Sequence, residues 1–151
     1  MHRTPKALFG ALAIAEAVSW TLLIAGLVLR ATAGLDVAVT IGGAIHGLVF
    51  LSYAATAVLL ALNNRWTTLP TTVALVSAIV PYATIPTEIW LARTGRLAGD
   101  WRTETAGDPA DRRWYDGVLR WFLRRPWLLA VLVVVAVAAI FLALLMIGPL
   151  R

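Results

Sequence analysis

Four blocks of about twenty apolar residues, parted by polar links, constrain this chain more than any other feature. They run from Ala7 to Leu29, Ala38 to Leu62, Leu69 to Ala92 and Trp127 to Ile147. A bilayer's hydrocarbon core, about 30 Å thick, takes roughly 20 apolar residues of α-helix to cross, and each block is long enough. Backbone groups in lipid must satisfy one another, so helices are the form these blocks take. The chain has 151 residues, 60% of them hydrophobic and 14% charged, and its mean hydropathy is +0.81. That composition excludes a soluble enzyme, a disordered tail and a secreted disulfide scaffold. The fold class predicted is all-α: a polytopic protein of the cell membrane with four transmembrane helices and one basic amphipathic interfacial helix.

The first block carries Glu16, Ser19 and Thr21, and Ala31-Thr32-Ala33 after it resembles a small-residue cleavage site. It is longer than a signal h-region of roughly 7–15 residues and contains an acid, so it reads as a transmembrane helix. The link Asn63-Asn64-Arg65-Trp66 joins helix-stopping amides to a cation and an interfacial Trp. Pro81 and Pro86 interrupt the third block, where a kink or unwound stretch is expected. The fourth has no polar side chain, which leaves it anchoring or packing.

The long polar segment, Arg93 to Pro126, begins as loop, with Gly95, Gly99 and Gly107. Asp108 and Pro109 suit the cap and first position of a helix running to Arg125. Trp114, Tyr115, Val118, Trp121 and Phe122 fall on one arc of that helix; Arg113, Asp116, Arg120 and Arg124 fall on the other. The pattern is that of a helix in the headgroup plane, its basic face toward anionic lipid headgroups. A helix covering the protein's own surface is the other reading. The organisation expected is a membrane unit over 4–97, the loop and basic helix over 98–126, and the last span over 127–148.

Thirteen Lys and Arg face eight Asp and Glu, a net charge of +5. Most cations flank the apolar blocks, which points to orientation in the bilayer rather than to nucleic acid. With four spans, Arg3, Lys6, Arg65 and Arg151 share one side, while Arg30 and eight loop arginines share the other. Nine against four places the 93–126 loop in the cytoplasm and both chain ends outside. A third block that turned back at its prolines would leave only Arg30 and Arg151 outside, eleven against two. Four full spans are preferred because the third block is long enough.

Glu16, His46 and Glu88 are ionisable groups at membrane depth, each costing roughly 2.5 kcal/mol or more on insertion scales. Glu16, Ser19, Leu23, Gly26 and Arg30 form one helical stripe; Gly42, His46, Phe50 and Tyr53 form another. Gly43 and Gly47 add a GxxxG pair suited to close helix approach. Counting about 1.5 Å per residue from the block ends gives two polar layers. One holds Glu16, Ser19 and Tyr53; the other holds His46, Glu88 and Arg30. A boundary shift of about two to four residues would merge them and bring Glu16 against His46. Such groups hold helices in register, or else they relay protons or ions.

A bis-histidine haem and a zinc site of two His plus a carboxylate both need a second histidine, and the other one is His2. The absence of Cys removes thiolate metal sites and iron–sulfur clusters. Ser19 and Ser52 stand in no nucleophile motif, and no phosphate loop occurs. No cofactor, metal or enzymatic activity is expected. The function predicted is a non-enzymatic accessory or helix-packing subunit with a protein partner or a second copy of itself. The alternative is a proton- or cation-conducting channel or transporter using Glu16, His46 and Glu88.

Several stretches resemble small bacterial integral membrane proteins of domain-of-unknown-function family 3817. Ile14-Ala15-Glu16-Ala17-Val18-Ser19-Trp20 is similar to the family's E-G/A-x-S start. Ile45-His46-Gly47-Leu48-Val49-Phe50 resembles its second helix, and Asn64-Arg65-Trp66 its basic-Trp link. Val80-Pro81-Tyr82-Ala83-Thr84 with Glu88 resembles its third segment, departing at Tyr82-Ala83 and at Pro86. The resemblance covers about residues 4–97 and implies a three-helix membrane unit with Glu16, Ser19, His46 and Glu88 as signature positions. It implies no activity.

Overall fold

The computed structural model describes residues 4–103 and 114–147, and every regular element among them is helical. The helices are α1 (Pro5–Ala33), α2 (Asp36–Asn63), α3 (Thr68–Ser77), α4 (Thr84–Arg93), α5 (Trp114–Leu123) and α6 (Pro126–Ile147). Thr4 caps α1 by accepting from the Ala7 amide, with Pro5 at the first position, where a missing N–H costs nothing. Gly34 ends α1 in the left-handed region (φ 66°), and the Gly34 and Leu35 amides close back onto Arg30 and Leu29. With so short a link, α2 returns antiparallel along α1. These two helices are long and apolar enough to cross a membrane. Their flanks present bare hydrocarbon, including Ile14, Val18, Leu27, Val37, Ile41 and Leu48.

The third apolar block does not continue across. It folds into a hairpin of two ten-residue helices, each about 15 Å long, or half a hydrocarbon core. The α3 arm rises beside α2, where Tyr53 bonds to Ser77 (3.1 Å). The tip, residues 78–83, reaches α1 at Trp20, whose indole N–H donates to the Ala78 carbonyl (3.3 Å). The α4 arm then descends along α1, with Thr84 donating to the Ala13 carbonyl and Glu88 lying over Gly10. Pro81 sits in the tip. Pro86, expected to break the segment further, instead falls in the first turn of α4, where no intrahelical partner awaits its missing N–H. Pro70 holds the same place in α3.

Both ends of the hairpin therefore meet at one end of the bundle. The Asn64 side-chain amide (2.7 Å) and the Trp66 indole N–H (2.8 Å) both donate to the Arg96 carbonyl. Asn63 accepts from the Arg102 amide and donates to the Asp100 carbonyl. Phe9, near the start of α1, packs edge-on against Trp66. The expected single third helix is thus two helices that fold back, and the α1 start lies at the same end of the bundle as residues 96–102. Asn64→Ala combined with Trp66→Phe leaves the half-buried Arg96 carbonyl without these two donors. A loss of about 1–3 kcal/mol is expected, read by denaturant unfolding in micelles.

Further along the chain, α5 packs on α2 and α6, with Leu119 buried and Val118 and Trp121 about half exposed. Arg124 Nε donates to the Thr103 carbonyl, which ties α5 to the end that carries Asn63 and Arg96. From there α6 runs 22 residues along α2, with Val137 buried and Val131, Val134 and Val135 exposed. Arg113 and the expected Asp108–Pro109 helix start lie outside the described residues.

Candidate functional site

Register between α1 and α2 is set by two glycines. A Cβ on Gly26 would sit 2.6 Å from the Ala38 carbonyl oxygen, and one on Gly42 would sit 2.8 Å from that of Leu22. Such spacing admits hydrogen only, so the two backbones touch there. Gly43 makes ordinary contact, 3.9 Å from Leu23 Cδ1. The half-buried Gly47 is placed one turn further along α2. Gly26 and Gly42, rather than the Gly43–Gly47 pair, carry the close approach.

This register brings Glu16, Ser19 and His46 together at the level of the hairpin tip. Glu16 and Ser19 are buried, at 0% and 1% exposed. The Ser19 hydroxyl lies 2.8 Å from the Glu16 backbone carbonyl, 3.2 Å from Glu16 Oε2 and 3.0 Å from His46 Nδ1. Glu16 Oε1 is 3.8 Å from His46 Nδ1 and has no hydrogen-bond partner. Trp20 and Phe50 flank the imidazole, with ring centroids 4.4 and 6.2 Å away. Trp20 thus touches both the imidazole and the hairpin tip.

The two expected layers do not form. Tyr53 bonds to Ser77 and stacks on Phe9 at 5.1 Å, so its hydroxyl is taken by the hairpin rather than by Glu16. Glu88 is set beside Gly10, away from His46, because the hairpin carries it back toward the start of α1. Arg30 pairs with Asp36 (3.0 Å) on the exposed α1–α2 link, far from both. Three contributors were missed by sequence reasoning: Trp20, Ser77 and Thr84. The signal for the last two was available, since polar residues bracket the proline-broken stretch and so mark where a chain inside lipid needs partners for its freed backbone groups.

At the other expected site, Arg120, Trp121, Arg124 and Arg125 line a shallow cleft with Gly117 on α5 and the turn after it. The Arg125 guanidinium stacks on the Trp121 ring at 4.5 Å. Trp114 opens α5, and its side chain lies outside what is described.

A Streptomyces coelicolor protein named "Putative membrane protein SCO5905" is 41% identical over 88 residues, which is 57% of this chain and 10% of that protein. The chain thus spans a small part of its relative's length. No solved structure matches. The family model for Domain of unknown function (DUF3817) matches residues 7–93, the α1–α2 pair together with the hairpin. By that match, over more than half of its length, the chain is a membrane protein belonging to the DUF3817 family.

Proposed function

We propose that this protein is a non-enzymatic, multi-pass component of the cell membrane that works by helix packing against a protein partner or a second copy of itself. In this reading α1, α2 and α6 span the bilayer and α3–α4 is re-entrant. The end carrying Lys6, Arg65, Arg93, Arg96, Arg102, Arg120, Arg124 and Arg125 faces the cytoplasm, while Arg30 marks the opposite face. That is eight cations against one among the described residues, a sharper asymmetry than four spans would give. The α5 cleft, with its arginines beside a half-exposed Trp, suits the phosphates of anionic lipid headgroups.

The observation that carries the packing role is the bare far half of the α1–α2 pair. The hairpin reaches no further than Thr21, where Tyr82 bonds to the Thr21 hydroxyl (3.3 Å). Beyond it, Leu22, Ile24, Leu27 and Val28 of α1 and Ile41 and Ile45 of α2 remain exposed. Small residues and flat apolar flanks are how membrane helices recruit others, because lipid supplies no hydrophobic drive between them. The matched unit also makes up a tenth of a longer relative, consistent with use as one part of a larger body. The test is the mass of the protein in a mild detergent. A complex of fixed stoichiometry is expected, and Val28→Trp or Ile41→Trp should break it while helicity is kept. A monomer with no constant companion overturns the proposal.

A further inference from the structure

The polar cluster at the hairpin tip has too few protons for its contacts. The single Ser19 hydroxyl proton is within reach of three acceptors: the Glu16 backbone carbonyl, Glu16 Oε2 and His46 Nδ1. It can serve one. Its shortest contact is the carbonyl, and once that bond is made Ser19 Oγ has only lone pairs to offer the other two. Those contacts then need a proton on the carboxyl and a proton on Nδ1. Glu16 Oε1, fully buried and unpartnered, lies 3.8 Å from Nδ1, close enough that a shift of under an ångström would pair the two directly.

We propose that Glu16, Ser19 and His46 form a proton-binding site, in which one exchangeable proton is held on the Glu16 carboxyl and handed to or from water by way of His46. Loading forms an O–H bond at Glu16 Oε2, which donates to Ser19 Oγ while the Ser19 proton rests on the Glu16 carbonyl. Release uses the imidazole tautomer with its proton on Nε2: the Glu16 O–H bond breaks, a proton bonds to the free Nδ1, and Nε2 gives its own proton to water. The Ser19 proton then swings to the carboxylate, and the backbone bond is given up. No other reactant is needed. His46, with 14% of its side chain exposed, is the member that meets the outside.

The other titratable groups facing the cluster are already placed. From α2, Tyr53 is engaged by Ser77; from the hairpin, Tyr82 is engaged by Thr21 and Glu88 lies beside Gly10. Glu16 is thus the carboxyl next to the imidazole. Trp20 stacks on that imidazole and holds the hairpin tip through Ala78, so the tip has a direct contact with the member that passes the proton.

The proposal goes beyond the packing role and does not rest on it. Infrared difference spectra of the protein in liposomes, between mildly acidic and mildly alkaline buffer, report a buried carboxyl directly. One protonated-carboxyl band is expected, lost in Glu16→Gln and displaced in Ser19→Ala. Nitrogen NMR of labelled histidine should show His46 titrating in wild type and a displaced curve in Glu16→Gln. Wild-type spectra with no pH-dependent carboxyl band overturn the proposal without recourse to any variant. A His46 curve that ignores Glu16→Gln in a folded protein overturns it as well.

Discussion

Cysteines introduced at Thr67 and Ala98 are expected to react with a membrane-impermeant thiol reagent from the same side of the bilayer, and one at Leu35 from the opposite side. The natural chain has no cysteine, so each signal stands on an empty background. All three positions are exposed and accept no structural side-chain hydrogen bond, so the substitutions leave the fold alone. The effect is all-or-none, because a bilayer either separates reagent from thiol or does not. The physical basis is the lock of Asn64 and Trp66 onto the Arg96 carbonyl, which forces the chain entering α3 and the chain leaving α4 to the same end. A third block that crossed the membrane would put Thr67 and Ala98 on opposite faces. A further cysteine at exposed Val80, in the hairpin tip, is expected to resist the reagent from both sides. Ready labelling at Val80 would mean that the hairpin lies in water rather than in lipid.

The hairpin also shows where sequence reading stops. Block length alone favours a span, because a hairpin of two half-length helices and one crossing helix occupy the same number of residues. What separates them is turn chemistry. Both arms open on the same kind of phrase, Thr68-Leu69-Pro70-Thr71 and Thr84-Ile85-Pro86-Thr87. A proline at the third position of a helix is compatible with a start and hostile to a middle. Two such phrases read as two helix starts, whereas reading each proline as a defect in one helix hides the turn. Tyr82, with φ 64° and no glycine's freedom, supplies the reversal. Its hydroxyl bond to Thr21 helps offset that strain.

The cluster itself was legible as a list of residues but not as a set of contacts. Glu16, Ser19 and His46 stand out because they are costly at depth. Their pairing depends on register, and register depends on where the two backbones touch, which the ends of the apolar blocks do not reveal. Ending the first block at Leu29 and starting the second at Ala38 leaves eight residues at the turn. In the structure α1 runs to Ala33 and α2 starts at Asp36, leaving Gly34 and Leu35 between them. Counting from the ends does not place His46, because the helices are set against each other where Gly26 meets Ala38 and Gly42 meets Leu22, and that contact puts His46 level with Ser19. Glu88 was displaced for a different reason: its height depends on the direction of α4, which the hairpin reverses.

Because register carries the cluster, its removal should be the most disruptive change available. Gly26→Ala and Gly42→Ala each place a methyl under 3 Å from a backbone carbonyl oxygen, which no rotamer can avoid. The helices must move apart or slide. Each substitution is expected to cost about 1–3 kcal/mol, and leucine at either site should cost more, since overpacking against backbone leaves nothing to yield. Gly43→Ala is the internal comparison. Its methyl would lie 3.9 Å from the end of the Leu23 side chain, so it should be neutral or should stabilise by up to about 1 kcal/mol through better helix propensity. The sign of the effect thus divides neighbouring glycines that sequence alone ranks the other way, with Gly43 inside the GxxxG pair and Gly42 outside it. Reversible unfolding in mixed micelles reads all three. The same variants connect packing to chemistry: in Gly42→Ala the infrared carboxyl band assigned to Glu16 should move, because sliding α2 carries His46 away from Ser19. Equal stability for Gly42→Ala and Gly43→Ala would mean that the α1–α2 contact is looser than the backbone approach at Leu22 and Ala38 requires.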